Sequence, residues 1–341
     1  MDPLNPSIPP TTRRLPAILA SALALLLALL GCAVASGQTS GATTTPGAST
    51  PTATSAPTSG PAVHQVSLTV TPTTPYTSRF SVSCPQGEIA LGGGWDMPQS
   101  ARVVAAQITS ATTWSVSLAP PQPINGGATA QTSSQAIPQA SATNAVYVEC
   151  LSGAPGAVVT QRGATDNLAP TPADTFNDNL GGSVSLCNAG ETLVGGGFDL
   201  GNSLANIELE GSWPRSDAAP IAVPVWVFSL RNYDAVARPI TRFAECLSGV
   251  AISASYPRQT GAFIFTGQIG SATVSCPAGG SLAGGGFQYR MHSPGPSHVG
   301  SLFSLNATSA GWQTLVLMLS GYGLYALTPL AAAVCLTFAT P

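Results

Sequence analysis

The sequence predicts an all-β fold, built as three tandem antiparallel β-sandwich-like modules after a signal peptide and a disordered linker. Three observations support it: a composition that favours strands and turns, apolar–polar alternation with a period of two, and an ordered set of motifs that occurs three times. Of the 341 residues, 36 are glycine and 30 are proline, and only 7% are charged. Lysine is absent, and periodic helical runs do not occur beyond residue 30.

The charge distribution argues against a nucleic-acid partner. The formal net charge is −3, and the arginines are scattered through the chain. Binding to phosphates requires a clustered basic surface, and the sequence contains no such cluster. We therefore expect no nucleic-acid binding.

The N-terminus has the pattern of an export signal. Arg13 and Arg14 form a positive segment, Leu15 to Leu30 is a charge-free apolar run, and Leu29-Leu30-Gly31-Cys32 follows. This ending resembles the lipobox of bacterial lipoprotein precursors. The resemblance implies that residues 1–31 are a signal peptide, that Cys32 carries lipid, and that the chain is anchored on the extracytoplasmic face of the cell membrane.

Two other outcomes remain open for this segment. A conventional signal peptidase would cut after Ala35, and an uncleaved anchor would run from Leu15 to Ala35 if Cys32 stayed unmodified. The pair Arg13 and Arg14 matches a twin-arginine signal only weakly, because Pro16 follows closely. Residues 32–62, beyond the cleavage site, are rich in Ser, Thr, Pro and Gly, and we expect a disordered linker.

The remaining chain repeats one set of features three times. Each repeat begins with Cys-x-x-Gly-x4-Gly-Gly-Gly-aromatic, continues with a tryptophan in an apolar run, and ends with a second cysteine. The opening cysteines are Cys84, Cys187 and Cys276, the tryptophans are Trp114, Trp226 and Trp312, and the closing cysteines are Cys150, Cys246 and Cys335. We place the modules at residues 63–162, 163–259 and 260–341.

The repeats select one pairing of the six cysteines that remain after Cys32. Six cysteines allow fifteen pairings, and only pairing within each repeat uses the pattern three times. The predicted disulfides are Cys84–Cys150, Cys187–Cys246 and Cys276–Cys335. Metal binding is not expected, because the chain has no Cys-x-x-Cys pair and no histidine close to these cysteines.

Strand candidates in the first module lie near 65–70, 78–84, 87–95, 102–109, 112–118, 145–151 and 157–161. The glycine triplet predicts a β-bulge or a close approach of another backbone or of the tryptophan ring. The insert 119–145 occurs only in the first module and is expected to be a flexible loop. Strand-like tails at 157–162 and 252–258 leave open whether the modules are separate or pair across units.

No catalytic constellation is evident, and no cofactor is expected. His64 lies at the edge of the linker, and His292 and His298 share one Pro/Gly-rich segment. The alternative function, a cell-envelope hydrolase, would use the His292/His298 region together with an acidic neighbour. The segment 321–326 matches a dinucleotide loop only faintly, because no acidic residue follows it.

Some further side chains have a structural and a functional interpretation. Carboxylates precede the closing cysteine or follow the glycine–aromatic step in two repeats only. A paired-carboxylate acid/base or calcium site would therefore exist in two repeats at most, and turn capping and solvation at strand edges explain these residues without a site. They are Glu149, Glu245, Asp96 and Asp199, with Val334 and Gln288 in the third repeat. Trp213 is expected in a loop, either as a turn anchor or stacked on a sugar.

The function that this sequence favours is that of a non-enzymatic surface lipoprotein. Three similar units in tandem allow weak contacts to add as avidity, which suits binding of an extracellular glycan or protein. A role in envelope structure is equally compatible with the repeats. The modules also resemble repeats in uncharacterised secreted bacterial proteins, a resemblance that implies no mechanism.

Overall fold

The computed structural model describes eleven stretches of the chain. They are residues 60–73, 76–98, 101–120, 144–171, 183–201, 207–216, 223–265, 268–291, 299–308, 311–320 and 326–339. Within these stretches every regular element is a β-strand, and all pairings are antiparallel. The predicted all-β, antiparallel fold is confirmed.

The nineteen strands divide into three similar sets in chain order. The first set is β1 Ala62–Thr69, β2 Arg79–Ser83, β3 Ile89–Asp96, β4 Arg102–Ser110, β5 Thr113–Ala119 and β6 Ala145–Ser152. The second is β7 Val158–Leu168, β8 Ser183–Leu186, β9 Thr192–Asp199, β10 Ile207–Arg215, β11 Val225–Asn232 and β12 Arg238–Ser248. The third is β13 Ile252–Ser255, β14 Arg258–Thr260, β15 Ile269–Val274, β16 Ser281–Met291, β17 Val299–Thr308, β18 Gly311–Ser320 and β19 Leu327–Phe338.

Period-two alternation located the strands of the first repeat closely. All seven candidates correspond to β1–β7, and most ends agree within one to three residues. The exception is β7, which continues to Leu168, well beyond the expected end at residue 161. This extension crosses the module boundary placed at 162/163, because β7 pairs along its whole length with β12 of the second repeat.

The repeats share their sheets, so they form one body. One sheet has the order β1-β6-β3-β17-β18-β15, the second β2-β5-β4-β9-β12-β7, and the third β13-β19-β16-β10-β11-β8. In each of these orders three strands of one repeat join three strands of another, and the short β14 also pairs with β19 in the third sheet. The strand-like tails at 157–162 and 252–258 do pair with the following unit, because β7 pairs with β12 and β13 pairs with β19.

The junction between repeats has the same register in all three sheets. In each, the aromatic residue that ends the glycine triplet and its successor pair with two residues of a neighbouring repeat. The pairs are Trp95–Leu305 and Asp96–Ser304, Phe198–Ala106 and Asp199–Ala105, and Phe287–Ser212 and Gln288–Gly211. Identical register at three junctions shows that the sequence repeat is also a structural repeat with approximate threefold symmetry.

The first glycine of each triplet lies where the repeats meet. In each strand that contains a triplet, the residue immediately before the first glycine forms a β-bulge, and this bulged residue is fully buried. A Cβ added to the first glycine of one repeat would lie 2.7–3.7 Å from the carbonyl oxygen of the bulged residue in another. The facing pairs are Leu91–Gly195, Val194–Gly284 and Ala283–Gly92. Both sequence predictions for the triplet, bulge and close backbone approach, are confirmed.

One apolar core lies between the three sheets. The core contains the repeated tryptophans, the aromatic residues after the triplets and aliphatic residues from all three repeats. Trp95 and Phe198, from different repeats, meet edge to face with ring centroids 6.3 Å apart. Because the core is common to all repeats, unfolding of one repeat would expose apolar surface of the other two.

The strand directions separate two ends of the unit that spans Ser55–Pro341. Strand β1 begins at Ala62, opposite Ser152 and close to the disulfide-bonded Cys150. Strand β5 ends at Ala119 and β6 begins at Ala145, and Ala145 pairs with Thr69 at the far end of β1. Seven residue steps of a strand correspond to about 23 Å, so the linker and the insert connect to opposite ends.

Candidate functional site

The structure contains the three predicted disulfides. Cys84–Cys150, Cys187–Cys246 and Cys276–Cys335 have Cα–Cα distances of 5.5–5.6 Å. They close sequence separations of 66, 59 and 59 residues. On the chain-entropy estimate, loops of this size contribute about 4 kcal/mol each by restricting the unfolded chain.

The turn after each opening cysteine carries an acidic residue in two repeats. Glu88 Oε2 lies 3.1 Å from Nε2 of His64, which belongs to β1. Glu191 pairs with Arg162 of β7, accepting from its Nε at 2.6 Å and from Nη2, and also accepts from the backbone N–H of Asn188 at 2.8 Å. In both repeats the pairing connects the cysteine turn to the first strand.

The described residues contain two groups of side chains with the spacing of metal ligands. They are His64, Glu88 and Cys150 in one repeat, and Cys187, Glu191 and Cys246 in the next. The cysteines of both groups are in disulfides, so they offer no thiolate to a metal. What remains is one His–Glu pair and one carboxylate, too few ligands for a structural zinc site.

Glu149 and Glu245 are core residues, which corrects the sequence interpretation. Solvation at strand edges was expected, but their side chains are buried, with 2% and 0% exposure. Gln65 donates to Glu149 at 2.9 Å, and Gln161 donates to Glu245 at 3.1 Å. Burial raises the pKa of Glu149 to about 7 and that of Glu245 to about 8.

The other two predicted carboxylates differ from each other. Asp199 Oδ1 accepts from the backbone N–H of Gly201 at 2.8 Å, which confirms the expected turn cap. Asp96 is instead buried, at 6% exposure, in the junction where it pairs with Ser304. Neither one forms a pair of carboxylates with Glu149 or Glu245 in the described contacts.

Trp213 does not lie in a loop, contrary to the sequence prediction. It belongs to β10, opposite Val227, and only 7% of it is exposed. Its neighbours are apolar residues of the same sheet, Val225, Val227 and Ala332. A buried indole cannot stack on a sugar, so this sugar-binding candidate is excluded.

A polar cluster that the sequence did not reveal lies where β10, β11 and β16 meet. Tyr233 donates to Glu208 at 2.7 Å, and Tyr289 donates to the same carboxylate at 2.5 Å. Glu210 forms an ion pair with Arg231 and accepts from Ser229 at 3.1 Å. The cluster connects strands of the second and third repeats at their shared junction.

The internal repeats show that this cluster is unusual. At the equivalent junction positions, the other repeats carry mainly apolar residues. Glu210 corresponds to Val104 and Phe303, Arg231 to Ala119 and Leu317, and Tyr289 to Met97 and Leu200. Glu208 itself corresponds to Arg102 and Ser301, so this one position is polar in all three repeats. Alignment of the three repeats could have revealed this difference from sequence, provided that the bulge in each strand was placed correctly. Three apolar positions that become polar around Glu208 in one repeat mark a candidate functional position.

Glu208 has the chemical properties of a group that exchanges a proton near neutral pH. Burial and the neighbouring Glu210 raise its pKa to about 7, while the hydrogen bonds from Tyr289 and Tyr233 oppose that rise. The pKa values of both tyrosines lie well above their usual range, mainly because of burial. The tyrosines therefore stay neutral and donate to the carboxylate.

Several predicted residues lie outside the described stretches. They are Cys32, most of the insert 119–145, and both His292 and His298. The neighbouring strand is described, and Tyr289, three residues before His292, is the donor to Glu208. Among the described residues no helix has the length and apolar character that crossing a membrane requires. No protein-family model and no curated protein matches the chain.

Proposed function

We propose that this protein is a lipid-anchored, non-enzymatic surface protein that presents its three-repeat β-body for extracellular binding. The supporting observation is the combination of three disulfides in one chain with the Leu29-Leu30-Gly31-Cys32 pattern after an apolar run. Disulfides persist in oxidising compartments outside the cytoplasm. A lipidated Cys32 would hold the chain there, since each buried methylene contributes about 0.8 kcal/mol to membrane binding.

The strand directions support presentation of one end of the body. The linker joins at the start of β1, next to the first disulfide, whereas the insert of the first repeat joins at the opposite end. A flexible linker of this length spans roughly 30 Å, and up to about 90 Å when extended. The end with the insert would then lie farther from the membrane than the end with the disulfides.

The decisive experiment follows the mature N-terminus and the surface exposure together. Wild-type protein and Cys32→Ser are expressed in a bacterium with and without globomycin, which blocks lipoprotein signal peptidase. We expect the wild type to have a mass that fits cleavage before Cys32 plus diacylglycerol and to be accessible to protease on intact cells. A mature wild-type chain without lipid, or a Cys32→Ser chain that stays equally membrane-bound, would contradict the proposal.

A second candidate, a cell-envelope hydrolase, is favoured by one observation. Glu208 has a pKa near neutrality, and its donor Tyr289 lies three residues before His292. General acid–base catalysis works best with such a pKa. The test is release of soluble fragments from purified cell walls by wild type, Glu208→Gln and His292→Ala. Activity lost in both variants would favour the enzyme; activity equal in all three, or absent, would exclude this site.

A further inference from the structure

A groove beside the second disulfide differs from its counterparts in the other repeats. It has a volume of about 380 Å³, at the lower end of the range for small-molecule sites, and it is open on one side. The turn after Cys187 forms one wall, the start of β11 forms another, and the end of β13 forms the third. Its lining residues include Asn188, Glu191, Val223, Pro224 and Tyr256.

The polar wall is fixed before any ligand arrives. Arg162 holds the Glu191 carboxylate with two hydrogen bonds. The amide oxygen of Asn188, oriented toward Arg162, accepts from Nη2 at 2.7 Å and from Nη1 at 3.1 Å. The hydrogen bonds from Arg162 also lower the pKa of Glu191, so the carboxylate stays ionised. A carboxylate and an amide held in fixed positions are suited to accept and donate hydrogen bonds to hydroxyl groups.

The opposite wall is apolar and partly exposed. Tyr256 lines the groove and is held by its hydroxyl, which donates to the carbonyl oxygen of Leu193 at 3.0 Å. Pro224 and Val223 continue this wall, and Val223 is 49% exposed. An aromatic ring that is fixed at its polar end offers its face or edge to the C–H groups of a ligand.

Among the cysteine turns that the structure describes, the turn of the second repeat alone combines the two walls, and Tyr256 comes from the segment between β13 and β14 of the third repeat. Tyr256 directly follows Ser255, the residue that pairs with the closing cysteine Cys335. In the other two repeats the residue at the position of Tyr256 is a glutamine: Gln65 lies opposite Glu149, and Gln161 lies opposite Glu245. The third repeat has Gly280 where the first two have Glu88 and Glu191. Among the described residues, the acidic turn at Glu191 is therefore the one that lies beside an aromatic residue at this position.

The charge and polarity of the groove select the class of ligand. Glu191 and Arg162 neutralise each other, so the groove favours neither an anion nor a cation. A purely apolar ligand would remove the carboxylate and the amide from water without hydrogen bonds in return, which is unfavourable. We infer that this groove binds a neutral saccharide, with hydroxyls on Glu191 and Asn188 and a ring face on Tyr256 and Val223. This inference deepens the proposed surface-binding function and rests on it.

The test uses mature full-length protein in a detergent without a sugar headgroup. A panel of neutral mono- and disaccharides is titrated and followed by saturation-transfer NMR. Tyr256→Gln introduces the residue that the other two repeats carry, and Val223→Asp places a charge on an exposed wall with little risk to folding. Glu88→Gln, in the equivalent turn of the first repeat, is the matched control.

We expect saturable binding of at least one sugar, and a loss of about tenfold or more in affinity for Tyr256→Gln and Val223→Asp, equivalent to about 1.4 kcal/mol. Glu88→Gln should bind like the wild type. The inference is overturned if no neutral sugar binds, which is the result expected if the groove binds a peptide instead. It is also overturned if both groove variants bind the sugar with wild-type affinity. Its failure is distinct from failure of the surface function, which is measured by the lipid on Cys32 and by protease accessibility.

Discussion

In the second repeat, a Cβ atom on Gly196 would lie 2.3 Å from Cδ2 of Trp226. The middle glycine of the other two triplets has the same relationship to its own tryptophan, at 2.7 Å for Gly93 and Trp114 and at 2.6 Å for Gly285 and Trp312. The glycine–tryptophan contact is thus a repeated packing element. It explains why both residues recur with fixed order in the sequence.

Alanine at the middle glycine is expected to destabilise the whole unit. The added methyl group would meet the indole, and the backbone behind it cannot retreat because it pairs with the next strand. We expect Gly93→Ala, Gly196→Ala and Gly285→Ala each to lower the free energy of unfolding by about 3 kcal/mol or more, as measured by urea titration. Gly60→Ala, where the new methyl meets nothing within 4 Å, should change it by less than about 0.5 kcal/mol. Equal midpoints for all four variants would contradict the packing role.

The tryptophans differ in the hydrogen bond of the indole N–H. Trp226 donates to Ser212 at 2.8 Å, while Nε1 of Trp114 and of Trp312 has no acceptor among the described residues. The positions equivalent to Ser212 carry Ala106 and Leu305. Ser212→Ala should therefore cost about 1–3 kcal/mol, because it leaves a buried donor unsatisfied.

The reverse substitution is the matched test. Ala106→Ser places a hydroxyl where Trp114 lacks an acceptor, and we expect it to be neutral or stabilising in the same urea titration. The hydrogen-bond argument would not hold if Ala106→Ser destabilised the protein as much as Ser212→Ala does.

The buried carboxylates predict an unusual dependence of stability on pH. The folded-state pKa values of Glu149 and Glu245, about 7 and about 8, lie above the usual value of 4.5. The folded state therefore binds more protons than the unfolded state between about pH 4.5 and pH 8, and stability declines as the pH rises through this window. At pH 9 the charged carboxylates cost on the order of 3 kcal/mol for Glu149 and 4 to 5 kcal/mol for Glu245, relative to pH 4.5.

Amide substitution should reduce this decline to the part that Glu208 contributes, since the pKa of Glu208 is also raised to about 7. Glu149→Gln and Glu245→Gln each keep the size of the side chain without the charge, and the double variant should show the flattest curve of unfolding free energy between pH 5 and pH 9. Val334 occupies the equivalent position in the third repeat, so a neutral residue is compatible with the fold. An unchanged slope in the double variant would show that other groups control the pH dependence.

Removal of a disulfide should weaken all three repeats together. Because the core is shared, the double variant Cys187→Ser with Cys246→Ser is expected to unfold in a single urea transition at a lower midpoint. Its free energy of unfolding should be about 4 kcal/mol lower than that of the wild type. The same loss is expected for the Cys276 and Cys335 pair. Two separate transitions in either variant would indicate that one repeat unfolds alone.

The polar junction makes a prediction about Glu208. The hydrogen bond from Tyr289 lowers the pKa of this carboxyl, so Tyr289→Phe should raise it further above about 7. Carbon-detected NMR titration of the glutamate carboxyls provides the measurement. Tyr256→Phe, whose hydroxyl contacts a backbone carbonyl instead, is the control. A pKa that falls in Tyr289→Phe would contradict the assigned donor.

Local patterns in the sequence were sufficient for the strands of the first repeat and for the disulfides. Alternation of apolar and polar residues is a property of each strand by itself, so β1–β6 were located without knowledge of their partners. The repeat pattern selected the cysteine pairs because only one pairing uses the same relation three times. The glycine triplet was assigned to a bulge or to close packing because glycines inside a strand-like run mark such positions.

The tertiary structure alone decided which strands are neighbours and what is buried. The paired strands at each described junction share two residue pairs, such as Phe287–Ser212 and Gln288–Gly211, and the pattern of a strand does not identify a lateral partner distant in sequence. Burial of Trp213, Glu149 and Glu245 depends on these partners, since a strand face is polar or apolar only according to what packs on it. The groove at Tyr256 likewise exists only because a strand of the third repeat pairs beside the cysteine turn of the second.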